Sequence, residues 1–121
     1  MLDPNFLILY VNDPLASAQF YGHLLGRTPI ESSETFALFA TDAGLMLGLW
    51  ARHAVEPGVE ALGVGSEVAF SVAGVGLVNA AYQMCRTFDI PIIQIPCTMD
   101  FGYTFVAVDP DGHRLRVFAA S

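Results

Sequence analysis

The chain has 121 residues, of which 54% are hydrophobic, and its net charge at pH 7 is −7. Its length suits one compact domain, and its apolar composition excludes intrinsic disorder. Because it contains five arginines and no lysine, nucleic acid and an anionic membrane surface are disfavoured as partners. Acidity can favour a cationic or neutral ligand, although a simpler interpretation is that it only keeps an apolar protein in solution.

The sequence shows no sign of export or membrane insertion. It contains no apolar run of about 18 residues, and its first residues form neither a basic segment nor an apolar signal core. We therefore expect a cytoplasmic protein. Disulfides are rare in that compartment, so we expect Cys85 and Cys97 to be free, buried thiols.

The first half of the chain predicts a strand, a helix and three further strands. Aromatic and β-branched residues at 6–11 are typical of a strand. Asp13 and Pro14 predict the start of a helix as N-cap and first helical residue, and Gly26 predicts its end. The three strands that follow are predicted at residues 28–30, 35–40 and 45–50, with a turn at 42–44.

The second half predicts the same order of elements. Between residues 52 and 65 the periodicity fades, and prolines and glycines predict a linker. A helix is predicted at 75–88 from its apolar spacing, and the sequence Asp109-Pro110-Asp111-Gly112 predicts a tight turn before the last strand. The predicted strands of this half lie at residues 67–72, 92–97, 103–108 and 115–119.

The order strand–helix–three strands thus occurs twice, with an offset of about 61 residues. We predict a single α+β domain, residues 1–121, built from two βαβββ modules. Module one covers about 1–51, the linker about 52–65 and module two about 66–121. The modules form a curved mixed sheet with helices on the outer face, which leaves the other face free for a ligand.

Two segments resemble a known superfamily. The first is Leu9–Asp13 followed by Phe20-Tyr21 and Leu24–Gly26, and the second is the strand–turn–strand at Phe105–Val117. Together with the repeated βαβββ pattern, they resemble the glyoxalase/bleomycin-resistance/dioxygenase superfamily, also called the vicinal oxygen chelate superfamily. The resemblance implies that fold.

The resemblance also locates four metal-ligand positions, which in the superfamily's metalloenzymes lie on the first and fourth strands of each half. Here those positions hold Phe6, Gly48, Glu67 and Arg116. One carboxylate beside a guanidinium is a poor site for a catalytic divalent ion. We therefore expect no metal and no cofactor, as in the superfamily's antibiotic-binding resistance proteins.

Strand alternation predicts what occupies the free face instead. If Phe6 faces inward, Ile8 and Tyr10 do so as well, and Arg116 faces inward together with Phe118. We expect Gly48 to leave space for a planar ring beside Trp50, and Glu67 to pair with Arg116. The predicted ligand-binding residues are Phe6, Ile8, Tyr10, Gly48, Trp50, His53, Glu67, Phe101, Tyr103 and Arg116.

Three functions stay open at this point. The first is a metal-independent binding protein, a homodimer that sequesters a small hydrophobic or aromatic, antibiotic-like molecule. The second is an enzyme that uses Glu67, Arg116 or His53 without a metal; no catalytic residue is assigned because no base–acid pair or activated nucleophile is recognisable. The third is a structural or regulatory module that binds a partner protein. We expect His113 to serve the turn that precedes it.

Overall fold

A computed structural model describes residues 1, 3–59 and 65–121 of the chain. It contains two compact units, Met1–Leu62 and Gly63–Ser121. Each unit has one four-stranded mixed sheet and one long helix, as the predicted βαβββ repeat requires. Of the predicted linker, residues 60–64 lie outside the described part.

The first unit contains β1 (Phe6–Val11), α1 (Pro14–Leu25), β2 (Glu31–Ser32), β3 (Phe36–Ala40) and β4 (Met46–Ala51). A short 3-10 helix, Arg52–Ala54, follows β4. The sheet order is β1-β4-β3-β2, in which β1 and β4 are parallel and the other pairs are antiparallel.

The two ends of α1 follow the sequence prediction. The Asp13 side chain accepts hydrogen bonds from the backbone N–H groups of Leu15 and Ala16, at 3.1 and 3.4 Å. These bonds satisfy donors that have no partner inside the helix. Gly26 ends the helix in the left-handed conformation, with φ of 65°, which glycine adopts without steric cost.

One face of the first sheet packs against α1, and the other remains open. Leu47, Leu49 and Phe39 are buried on the helix side, where β3 and β4 contact α1, and Tyr21 of α1 is buried as well. The alternate residues of β1 point the other way, and 40–46% of the surface of Phe6, Ile8 and Tyr10 is exposed. The open face is therefore largely apolar.

The second strand lies later in the chain than predicted. We expected residues 28–30, whereas β2 is Glu31–Ser32, paired with Leu38 and Ala37 of β3. Pro29 explains the shift, because proline has no N–H to donate to a strand ladder.

The second unit contains β5 (Glu67–Ser71), α2 (Val75–Thr87), β6 (Ile92–Met99), β7 (Gly102–Val108) and β8 (Arg114–Ala120). Its sheet order, β5-β8-β7-β6, reproduces that of the first unit, and β5 and β8 are parallel. The edge strand β6 is irregular, with register shifts on both sides of Gln94. Pro96 is tolerated there because edge strands can leave a donor position unpaired.

The turn before β8 is organised by one buried carboxylate. Asp109 is 4% exposed, and its Oδ1 accepts from the backbone N–H groups of Asp111 and His113 at 2.9 and 2.8 Å. The His113 ring Nδ1 lies 2.7 Å from Asp109 Oδ2. The prediction that His113 serves this turn is confirmed.

Two predictions about location and thiols have different outcomes. No helix in the described part of the chain is long and apolar enough to cross a membrane, and the cytoplasmic location stays a prediction. Both cysteines are free, as expected. The expectation that both are buried is correct for Cys85 but wrong for Cys97, which lies partly exposed on the edge strand β6.

We predict that the two thiols differ sharply in reactivity. Cys85 is 2% exposed, and burial raises the pKa of its thiol, so little reactive thiolate is present near pH 8. A disulfide reagent should titrate one thiol in the native protein and both in denaturant. The substitution Cys97→Ser should abolish the reaction of the native protein with the reagent. A fast reaction of native Cys97→Ser would contradict the prediction.

A second prediction concerns two glycines of the second unit. Gly102 has φ of 147°, and a Cβ there would lie within 2.0 Å of the Ala119 carbonyl oxygen, whereas a Cβ on Gly76 in α2 meets no atom within 4 Å. Gly102→Ala should lower the free energy of unfolding by about 2–4 kcal/mol. Gly76→Ala should raise it by about 0.5–1 kcal/mol. Urea unfolding measures the free energy of unfolding of both variants. Equal changes in the two variants would contradict the prediction that only Gly102 requires glycine.

Candidate functional site

The four positions singled out by the resemblance occupy equivalent places in the two sheets. In the first unit Ile8 pairs with Gly48, so Phe6 lies one diagonal step from Gly48. In the second unit Ala69 pairs with Arg116, which puts Glu67 in the same diagonal relation to Arg116. Parallel pairing of the first and fourth strands therefore creates one pair of neighbouring positions on each open face.

The open face of the first sheet carries an aromatic cluster of Tyr10, Phe36 and Trp50. Tyr10 and Phe36 are the strand partners of Trp50 on its two sides. The rings of Phe36 and Trp50 meet edge to face, with centroids 6.4 Å apart and planes at 88°. This geometry is favourable for aromatic pairs.

Phe36 also fills the space expected beside Trp50. A Cβ on Gly48 would lie 3.0 Å from Phe36 Cζ and 3.4 Å from Ile8 Cγ1. The prediction that Gly48 leaves room for a ligand ring is therefore wrong in this structure, because a neighbouring side chain already occupies that room. Phe36 was missed at the sequence level, although its pairing opposite Trp50 follows from the Asp42–Gly44 turn.

His53 stands apart from these contacts. It lies exposed in the 3-10 helix that follows β4. Its side chain makes no hydrogen bond or ion pair with any described residue. The geometry thus gives it no partner for proton transfer.

The open face of the second sheet is organised around Arg116. Its Nε donates to Glu67 Oε1 at 2.6 Å, which confirms the predicted ion pair. Its Nη1 donates to Thr104 Oγ1 at 3.3 Å and to Gln94 Oε1 at 3.5 Å. Thr104 and Gln94 were not predicted, because their approach to Arg116 depends on the pairing of β6, β7 and β8.

Two phenylalanines border this polar group. The Arg116 Cζ atom lies 5.5 Å from the centre of the Phe101 ring, within the range of a cation–π contact. Phe101 in turn meets Phe118 edge to face at 5.9 Å. Phe101 is 43% exposed, so its ring is accessible to a ligand.

Tyr103 does not join Phe101 and Arg116. Its hydroxyl donates to Asn79 Oδ1 of α2 at 2.9 Å, which places it on the helix side of the sheet. Alternation would put Phe101 and Tyr103 on one face, but Phe101 lies in the turn before β7, and Gly102 between them has φ of 147°. Tyr103 instead lines a shallow cavity of about 240 Å³ at the start of α2, together with Val75, Thr98 and Gly102.

The residues at the four positions do not fit a divalent metal. Phe6 and Gly48 offer no donor atom, and the Glu67 carboxylate is already bound by the Arg116 guanidinium. Within the described ranges, no three His, Cys, Asp or Glu side chains come together as a metal-binding group. A cation placed here would be repelled by the Arg116 guanidinium and would compete with it for the Glu67 carboxylate.

Comparison with known proteins gives concordant results. The chain is 26% identical over 124 residues to the phenazine antibiotic resistance protein EhpR of Enterobacter agglomerans, covering 96% of this chain and 91% of that one. A protein from Agrobacterium tumefaciens, solved by solution NMR, is 47% identical over 100% of this chain and 99% of its own, with a TM-score of 0.86.

A structure from Burkholderia phytofirmans, of a glyoxalase/bleomycin resistance protein/dioxygenase family enzyme, has a TM-score of 0.84. It is 21% identical, with coverage of 99% of this chain and 100% of its own, and shows the fold alone. The family model that matches residues 4–117 covers nearly the whole chain. The chain therefore belongs to the Glyoxalase/Bleomycin resistance protein/Dioxygenase superfamily.

Proposed function

We propose that this protein binds a small, planar aromatic molecule without a metal ion and sequesters it rather than transforming it. The observation that carries the proposal is the Glu67–Arg116 ion pair, which occupies one of the two metal-ligand pairs of the fold and is bordered by the exposed ring of Phe101. Such a surface offers apolar area and hydrogen-bonding groups but no electrophile.

The exposed ring of Phe101 on the open face of the second sheet favours a flat ligand. Aromatic pairs contribute about 0.5–1.5 kcal/mol each beyond the burial of apolar area. Micromolar affinity requires about 8 kcal/mol, which burial of a tricyclic ring system can largely supply. The similarity to a protein named for phenazine antibiotic resistance makes a phenazine the first ligand to test.

Catalysis without a metal finds less support. Acid–base catalysis needs one group that accepts a proton and one that donates a proton. Glu67 and Arg116 are instead bound to each other in an ion pair, and the His53 side chain has no described hydrogen-bond partner. A regulatory module that binds only a partner protein would need neither the ion pair nor the exposed aromatic rings beside it.

We predict that phenazine-1-carboxamide binds with micromolar affinity and that binding alters the absorbance of the phenazine. Phe101→Leu should weaken binding about fivefold, because a stacking surface is lost. Phe88→Leu is the matched control, since the two rings are similarly exposed, at 45% and 43%. Dialysis against a chelator should leave the affinity unchanged, and a broad panel of planar aromatics with no binder would contradict the proposal.

We further propose that the protein is a homodimer. Large apolar side chains stay exposed in the isolated chain, among them Phe6 at 46%, Ile93 at 51% and Ile95 at 68%. Ile93 and Ile95 are alternate, exposed residues of the edge strand β6, and exposed apolar surface of this kind favours an interaction site. Light scattering should give twice the chain mass of 13.0 kDa, and a monomer at micromolar concentrations would contradict the proposal.

A further inference from the structure

The Glu67–Arg116 pair is joined by only one of the two hydrogen bonds that such a pair can form. Arg116 Nε donates to Glu67 Oε1, and Nη1 is engaged by Gln94 and Thr104. No described residue accepts a hydrogen bond from Arg116 Nη2, and none donates to Glu67 Oε2. A donor and an acceptor therefore remain available on a single ion pair.

Both groups are shielded but still accessible. The side chain of Arg116 is 17% exposed and that of Glu67 is 32% exposed. In partly dehydrated surroundings, hydrogen bonds and charge repulsion discriminate between ligands more strongly than they do in water. The available donor and acceptor can therefore distinguish ligands of similar shape.

The charges of this site disfavour an anionic ligand. Glu67 cancels the charge of Arg116, so the pair offers no net positive charge, and the chain carries −7 overall. A ligand carboxylate could accept from Arg116 but would have nothing to donate to Glu67 and would be repelled by it. A neutral amide can satisfy both groups, since its oxygen accepts from Arg116 and its N–H donates to Glu67.

Phe101 gives such a ligand an aromatic surface next to the ion pair. Its ring covers one side of the guanidinium at 5.5 Å and remains 43% exposed. The exposed part of this ring adds apolar surface beside the ion pair, which a planar ligand bound to Arg116 and Glu67 would contact.

We propose that Glu67 and Arg116 select neutral planar ligands that carry an amide or lactam edge and reject aromatic carboxylates. This selection rests on the proposed binding function and goes beyond it by naming the chemical class of the ligand. Glu67 acts as the rejecting group, because specificity often depends on a repulsive contact as much as on an attractive one.

The test compares two probes with the same ring system, phenazine-1-carboxamide and phenazine-1-carboxylate, by calorimetry at pH 7.5 and low salt. The wild-type protein should bind the carboxamide at least about tenfold more tightly, because the carboxylate leaves Glu67 without a donor and opposes its charge. Glu67→Gln should improve binding of the carboxylate about fivefold or more and largely remove the preference.

Asp89→Asn is the control for net charge. It also removes one negative charge from the second unit, but Asp89 is exposed beyond the end of α2, so the preference should be unchanged. Asparagine tolerates the positive φ of 55° at that position. If Glu67→Gln proves unstable in thermal melts, Gln94→Glu supplies the opposite change and should weaken carboxylate binding further.

The outcomes separate the two proposals. Equal or tighter binding of the carboxylate by the wild-type protein would overturn the selection while leaving the binding function intact. A preference that persists in Glu67→Gln would also overturn it. Failure of both probes, and of other planar aromatics, would overturn the binding function and the selection with it.

Discussion

Parallel pairing of the first and fourth strands of each unit is the constraint on which the candidate site depends. It brings one residue of the first strand and one of the fourth, offset by two positions in register, together on one face of the sheet. The helix of the unit covers the opposite face. Every strand residue is thereby directed either into the helix-covered core or onto the open face. The residues available for contact with a ligand are therefore those of the open faces, because their side chains do not point into the helix-covered core.

The residues on those open faces do not fit a divalent metal. In the first unit the relevant positions hold Phe6 and Gly48, and the ring of Phe36 packs over the glycine. In the second unit the Arg116 guanidinium binds the Glu67 carboxylate. A permanently charged arginine thus balances Glu67 electrostatically, and supporting hydrogen bonds from Arg116 to Thr104 and Gln94 offset the desolvation of the pair.

The proposed ligand recognition depends on the same ion pair. Its incomplete hydrogen bonding leaves a donor and an acceptor at the edge of an exposed ring, a combination that suits a flat, neutral ligand. Sequestration requires only affinity, so an apolar surface with a few directional polar groups is sufficient. The net charge of −7 also disfavours anionic ligands electrostatically.

The sequence by itself determined the repeated βαβββ order, both caps of α1, the turn at Asp109 and the absence of metal-ligating side chains at three of the four positions. These features depend on residues close together in the chain or on residue type alone. It also predicted the Glu67–Arg116 pair, through the resemblance, although 49 residues separate the two.

Only the tertiary structure decided which residues surround these positions. Phe36 covers Gly48. Arg116 donates hydrogen bonds to Gln94 and Thr104. Tyr103 faces α2 and does not lie beside Phe101. Each outcome depends on strand register, an edge-strand irregularity or the positive φ of Gly102. A shift of one residue reverses the face to which a strand side chain points, and local sequence patterns do not contain that information.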